Sequence, residues 1–111
     1  MDVIRVRAIR TYPTPREPGV EHAAVRVGLE GIDGDRRKKA ALSLVGADSP
    51  STRANVVLDV PTGEVEALAG TVVRIGGALL AVEGTGNTCR GLYAAVGEPG
   101  SITVGDEVVP L

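Results

Sequence analysis

The most reactive side chain in this 111-residue sequence is its single cysteine, Cys89. It follows a Gly-rich segment, 84–88, which predicts a flexible bend and an accessible thiol. A short helix is predicted over 92–96, which would place Cys89 at a helix N-terminus. There the helix dipole and the neighbouring Arg90 favour a thiolate. A thiolate could carry sulfur as a persulfide or ligate a soft metal, and a buried structural cysteine is the alternative.

Basic residues form two further candidate sites. Four cations follow the pair Gly34-Asp35, namely Arg36, Arg37, Lys38 and Lys39. Backbone N–H groups in a Gly turn, together with fixed cations, can cradle an anion, although a solvated charge run is the simpler interpretation. Arg53 and Asn55 directly precede a predicted strand over 56–60 and would lie at a sheet end, where ligand groups are often placed. A surface arginine and a turn-forming asparagine are their structural alternatives.

Other polar residues favour structural roles. His22 is isolated in the sequence from every other candidate and is predicted to face solvent. Asp33 and Asp35 alternate with glycine, a pattern more typical of turn chemistry than of a cation site. The pair Gly105-Asp106 likewise predicts a turn.

The elements that must position these residues are predicted to be mainly β-strands. The chain has 15 Gly, 7 Pro and no Phe or Trp, so its core must be built from aliphatic residues, among which β-branched ones favour sheets. We expect one domain, a small barrel or sandwich of six to eight short strands with one to three short helices. The predicted strands are 4–9, 23–27, 40–45 (or a short helix), 56–60, 72–75, 79–82, 102–104 and 108–109. A helix is predicted from Pro61 to Gly70, a tight turn at 31–35 and an exposed connection at 12–19.

Composition and charge exclude several classes of protein. A formal net charge of −2 and only two aromatic residues argue against nucleic-acid binding. No segment has the length and hydrophobicity of a membrane span, and the first residues do not have the pattern of a signal peptide. One cysteine and one histidine exclude an internal disulfide and a His-rich metal site. We therefore expect a cytoplasmic protein.

Five segments in order resemble the MOSC domain, named for the C-terminal part of molybdenum-cofactor sulfurase. The resemblance covers residues 19 to 109. The segments are Gly31-Ile32-Asp33-Gly34-Asp35-Arg36-Arg37, Arg53-Ala54-Asn55-Val56-Val57, Leu68-Ala69-Gly70 with Arg74-Ile75-Gly76-Gly77-Ala78-Leu79-Leu80, Thr88-Cys89-Arg90-Gly91-Leu92, and Val104-Gly105-Asp106-Glu107-Val108.

The resemblance implies a MOSC-like β-barrel and a link to molybdenum cofactor or sulfur delivery. It implies that Cys89 either ligates molybdenum or accepts sulfur abstracted by a pyridoxal-phosphate enzyme of the cysteine desulfurase type. It also implies that Arg36 and Arg37, with the Arg-x-Asn element of Arg53 and Asn55, lie near the pterin and phosphate of the cofactor. The expected activity is that of a sulfurtransferase, in which Arg90 assists Cys89 and the arginines hold an anionic acceptor.

Three departures from the family pattern affect this interpretation. Arg37 stands where a histidine is frequent, and Asn87-Thr88 stands where a second cysteine or proline is common. Only about a dozen residues separate Leu92 from Gly105, fewer than in typical members. A shortened wall favours sulfur handling, or a site completed by a second copy in a homodimer, over tight enclosure of a cofactor. A molybdenum-pterin redox protein and a non-catalytic interaction module are the competing hypotheses.

Overall fold

Residues 3–36, 40–48, 53–84 and 91–111 are described by a computed structural model, and their backbone is mainly β. The described residues form eleven strands and one helix. The elements are β1 (Val6–Thr11), β2 (Val20–His22), β3 (Ala24–Gly28), β4 (Gly31–Ile32), β5 (Leu42–Gly46), β6 (Val56–Leu58), α1 (Thr62–Glu66), β7 (Val72–Ile75), β8 (Ala78–Gly84), β9 (Leu92–Glu98), β10 (Gly100–Thr103) and β11 (Val108–Pro110).

Eight of these strands form one strongly curled sheet. Their order is β11-β7-β8-β9-β5-β6-β1-β2, with every neighbouring pair antiparallel except the parallel pair β5 and β6. Backbone bonds from Val6 N to Asp106 O (2.9 Å) and from Val108 N to Ile4 O (2.8 Å) join the start of β1 to the start of β11. The sheet therefore curls back on itself, and the prediction of a mainly β, barrel-like fold is confirmed.

A smaller sheet, β10-β3-β4, packs against this barrel. The turn between β7 and β8 meets β10 directly, since Gly77 N donates to Ser101 O at 2.9 Å. A Cβ atom on Gly100 would lie only 2.2 Å from the carbonyl oxygen of Gly77, so this close approach of two backbones requires glycine.

The core consists of branched aliphatic side chains, as the absence of Phe and Trp requires. Strand alternation directs them inward from both sheets. The largest fully buried side chains include Ile9, Leu42, Leu44, Leu58, Ile75, Leu80 and Ile102.

Several locally encoded elements agree with their predictions. The hairpin of β7 and β8 turns at Gly76, which has a φ of +57°, and the segment at 42–46 is a strand rather than a helix. Helix α1 directly follows Pro61, and the chain leaves its last turn through Gly70 at a φ of +83°. The connection at 12–19 is exposed as predicted from 13 to 18, but Tyr12 is buried, with 5% of its surface exposed.

The predicted helix over 92–96 is wrong. This segment belongs to β9, which pairs antiparallel with both β8 and β5 and buries Leu92 and Ala94. Gly91, with a φ of +93°, leads directly into the strand. Since 92–98 is a strand, it provides no helix N-terminus that could activate Cys89. Cys89 and Arg90 themselves lie outside the described residues.

Among the described residues, no helix reaches the length and hydrophobicity that a membrane crossing requires.

We predict that Leu80→Ala destabilises the protein strongly, because Leu80 is fully buried in the barrel. A buried Leu→Ala change costs about 2–5 kcal/mol through lost burial and the cavity it leaves. The matched control is Leu29→Ala, since Leu29 is 65% exposed and its truncation should change stability by less than about 0.5 kcal/mol. Urea denaturation measures both, and equal losses would contradict the assignment of the core.

Candidate functional site

The parallel strands β5 and β6 place Ser43 and Asn55 side by side. Asn55 directly precedes β6 and is fully buried. Its backbone N–H donates to Ser43 Oγ at 3.1 Å, and its Oδ1 accepts from Ser43 N at 3.2 Å and from Ser43 Oγ at 3.3 Å. The amide oxygen is therefore satisfied entirely within the protein.

The amide nitrogen of Asn55 connects two further segments. Nδ2 donates to the carbonyl oxygen of Arg10 in β1 at 3.1 Å and to Asp35 Oδ2 at 2.9 Å. Both amide hydrogens are thus used inside the protein. Asn55 holds β1, β5 and the turn after β4 together, and its buried carboxamide supports the site from beneath rather than facing a ligand.

Asp35 extends this network to the surface. Its Oδ1 accepts from Tyr12 N at 2.8 Å, and its own N–H donates to Ile32 O at 3.0 Å, closing a turn in which Gly34 has a φ of +85°. The predicted turn role of Asp35 is confirmed. Arg36 follows Asp35 directly and is exposed.

Arg53, in the segment before β6, contacts Tyr12, the residue whose N–H is bonded to Asp35. Its guanidinium carbon lies 4.3 Å from the centre of the Tyr12 ring, and its Nη1 donates to the carbonyl oxygen of Glu17 at 2.9 Å. Through Tyr12 and Asp35 the structure connects Arg53 to Asn55, and Arg36 adjoins this network only as the residue after Asp35. Within the described ranges, neither arginine forms an ion pair with a carboxylate.

A shallow cleft of about 340 Å³ lies beside Arg36 and is lined by residues 28–36 and Ala41. Its wall carries the acidic residues Glu30, Asp33 and Asp35. Because these carboxylates repel an anion, the favourable position for one at this cleft is beside Arg36, the one cation among the described residues of its lining.

The remaining sequence-predicted site residues are not among those that the structure describes. Arg37, Cys89 and Arg90 are outside the described residues, as are Lys38 and Lys39. Gly91, which follows Arg90, donates its N–H to Glu66 Oε2 at 3.2 Å. It lies towards the C-terminal end of β5, whereas Ser43 lies near the start of that strand.

Two structural roles predicted for polar residues can be compared with the structure. His22 is only half-buried, with its Nε2 lying 2.8 Å from Thr11 Oγ1, so it faces solvent in part. Asp106 caps the predicted turn, since its Oδ2 accepts from Thr103 N at 2.8 Å. No group of three or more His, Cys, Asp or Glu side chains in the described part of the chain could hold a metal ion.

Tyr12 is the site residue that sequence reasoning missed. Its position in a Pro-rich segment predicted exposure, whereas its ring is buried beneath Arg53. The available signal was its residue type, since only one other aromatic side chain, Tyr93, occurs in the sequence.

Comparisons with known proteins establish the fold. No family model and no curated protein sequence matches this chain. The YuaD protein from Bacillus subtilis has a similar structure, with a TM-score of 0.75 and 16% identity over 96% of this chain and 94% of that one. A second solved structure, of a hypothetical protein, has a TM-score of 0.77 and 15% identity over 98% of this chain and 66% of that one. These likenesses show a shared fold.

We predict that Asn55→Ala lowers the free energy of unfolding by about 2 kcal/mol, because it removes several hydrogen bonds of a fully buried carboxamide and leaves its part-buried partners on Ser43, Arg10 and Asp35 without it. Ser101→Ala is the control, since Ser101 is exposed and should tolerate truncation. Chemical denaturation measures both variants. A loss no larger than that of Ser101→Ala would show that the Asn55 network contributes little to stability.

Proposed function

We propose that this chain is a MOSC-type sulfur-transfer protein in which Cys89 carries sulfur as a persulfide. Arg36 and Arg53 hold the anionic acceptor. The observation that carries the acceptor half of this proposal is the exposed Arg53, which packs on Tyr12 beside the Asn55–Asp35 network and forms no ion pair with a carboxylate of the described residues. Arg36, which directly follows Asp35, is also exposed and forms no ion pair in that part of the chain. The part of the proposal that concerns Cys89 rests on the sequence resemblance to the MOSC domain.

The loading step needs a donor that already carries sulfane sulfur, such as a cysteine desulfurase. The Cys89 thiolate attacks the outer sulfur of the donor persulfide, a new S–S bond forms, and the donor cysteine leaves as a thiolate. The step is therefore a transfer of neutral sulfur with no net oxidation. Pyridoxal phosphate belongs to the donor, because the only lysines here, Lys38 and Lys39, stand in a hydrophilic charge run.

The delivery step regenerates the protein. A nucleophilic atom of the acceptor attacks the outer sulfur of the Cys89 persulfide, which leaves Cys89 as a thiolate. An anionic acceptor and an anionic persulfide repel each other. Fixed guanidinium groups offset that repulsion, and Arg36 and Arg53 are the described residues that fit this role.

Molybdenum-pterin binding is the competing function. Arg36 and Arg53 fit the phosphate of such a cofactor, and Cys89 would be the protein ligand to the metal. When bound, the cofactor would supply redox chemistry at molybdenum. Metal analysis of protein from a cofactor-replete host separates the two functions, since the redox function requires nearly stoichiometric molybdenum and the sulfur-transfer function requires none.

We predict that the protein gains sulfur when it is incubated with a cysteine desulfurase and cysteine. Intact mass under non-reducing conditions should increase by one or more sulfur atoms in the parent and not in Cys89→Ala. Arg36→Gln and Arg53→Gln should load sulfur normally and deliver it more slowly, because they remove only the charges that hold the acceptor.

Arg7→Gln is the matched control for the loss of one positive charge, since Arg7 is exposed on β1 and belongs to no described ion pair. It should load and deliver sulfur as the parent does. Equal sulfur gain in Cys89→Ala, or no gain in the parent with a demonstrably active desulfurase, would contradict the proposal. Slow reaction of Cys89 with a thiol reagent until the protein is unfolded would instead support a buried, non-catalytic cysteine.

A further inference from the structure

Tyr12 and Glu17 restrict the side chain of Arg53 from two directions. The Tyr12 ring covers one face of the guanidinium at 4.3 Å, and the Glu17 carbonyl accepts from Nη1 at 2.9 Å. An exposed arginine normally samples many rotamers, so these two contacts select an orientation for a group that otherwise moves freely.

One edge of the same guanidinium stays available. The bond to Glu17 uses Nη1, whereas Nε and Nη2 form a separate fork with no acceptor among the described residues. Two parallel N–H groups on one planar edge match two oxygens of a carboxylate, sulfonate or phosphate. The orientation of Arg53 therefore suits bidentate capture of an oxyanion.

Tyr12 is itself held rigidly. Its backbone N–H is bonded to Asp35 at 2.8 Å, and only 5% of its surface is exposed. Gly19 lies directly against its ring, so that a Cβ atom there would come within 2.5 Å of a ring carbon. Asp35 thus fixes the backbone of Tyr12, and the absence of a side chain at Gly19 leaves room for its ring.

We propose that Tyr12 is a positioning residue, which orients Arg53 so that its Nε–Nη2 edge binds an oxyanion. This inference rests on the proposed function, because it names the chemical class of the acceptor group that the arginines would hold. It adds a residue to which neither the sequence pattern nor the resemblance assigns a role.

The test is a titration with inorganic phosphate at constant ionic strength, in which the arginine Nε–H resonances are monitored by NMR at each phosphate concentration. The Arg53 signal is assigned by its loss in Arg53→Lys. Phosphate should shift the Arg53 resonance saturably in the parent. Tyr12→Phe, which keeps the aromatic face, should have a phosphate affinity within about twofold of that of the parent. Tyr12→Leu should bind about two- to fivefold more weakly, the range expected for an exposed cation–π contact.

Gly19→Ala is a second, independent variant that keeps the tyrosine and displaces its ring. It should weaken phosphate binding in the same direction, and it decides the question if Tyr12→Leu does not fold. Parallel titrations with sulfate and acetate show whether the site prefers a tetrahedral oxyanion or a carboxylate. Arg7→Ala controls for net charge and should leave the affinity unchanged.

The outcomes separate this inference from the proposed function. The positioning role is overturned if phosphate affinity is unchanged in folded Tyr12→Leu and Gly19→Ala, or if the Arg53 signal of the parent does not shift saturably. Normal sulfur loading of Cys89 in the same preparations would leave sulfur transfer standing. Phosphate binding that follows the expected order, without any sulfur loading, overturns sulfur transfer and leaves the oxyanion site.

Discussion

A single buried amide constrains the geometry around this site. Asn55 lies in a protein whose interior is otherwise almost entirely aliphatic, and a carboxamide placed there is costly unless its donors and acceptor are all satisfied. Its partners come from three separate segments, namely Arg10 in β1, Ser43 in β5 and Asp35 in the turn after β4. Folding that satisfies this amide must therefore bring these segments into one arrangement, in which Asp35 also holds Tyr12 and Tyr12 contacts Arg53.

The surroundings of Arg53 differ from those of three other arginines of the protein. Three arginines on the sheet lie beside carboxylates of neighbouring segments, as the pairs Arg5–Glu107, Arg10–Glu21 and Arg74–Glu98. Such exposed pairs contribute little to stability, about 0–1 kcal/mol, but they cancel charge locally. Arg53 instead contacts an aromatic face and a neutral carbonyl group. Its positive charge is consequently oriented without being compensated by a described carboxylate, which makes it available to an external anion although the chain is acidic overall.

Elements encoded by adjacent residues could be predicted, and those that depend on distant partners could not. The β7–β8 hairpin follows from two alternating strands joined at Gly76, a signal contained within ten residues or so. In 92–98, Leu92 and Val96 are spaced as on one face of a helix, yet the segment became a strand because β8 and β5 supply backbone partners on both sides. The closure of the barrel joins Arg5 to Glu107, and no local pattern records such a pairing. The same holds for the site, since Arg53 and Asn55 were recognisable as candidates whereas the contact between Tyr12 and Arg53 appears only after folding.

The distribution of charge around the proposed oxyanion site determines how it would select a ligand. The cleft beside Asp35 presents Glu30 and Asp33 on its wall, so an anion gains most from two exposed arginines, Arg36 at that cleft and Arg53 on Tyr12. A ligand held by exposed arginines leaves most of its own surface in solvent, and only a small part of the ligand contacts the protein. Recognition then depends on the charge and the oxygen geometry of one terminal group rather than on the shape of the whole molecule. A site of this kind suits a protein that receives its partner briefly and releases it, because few contacts have to be broken when the ligand leaves.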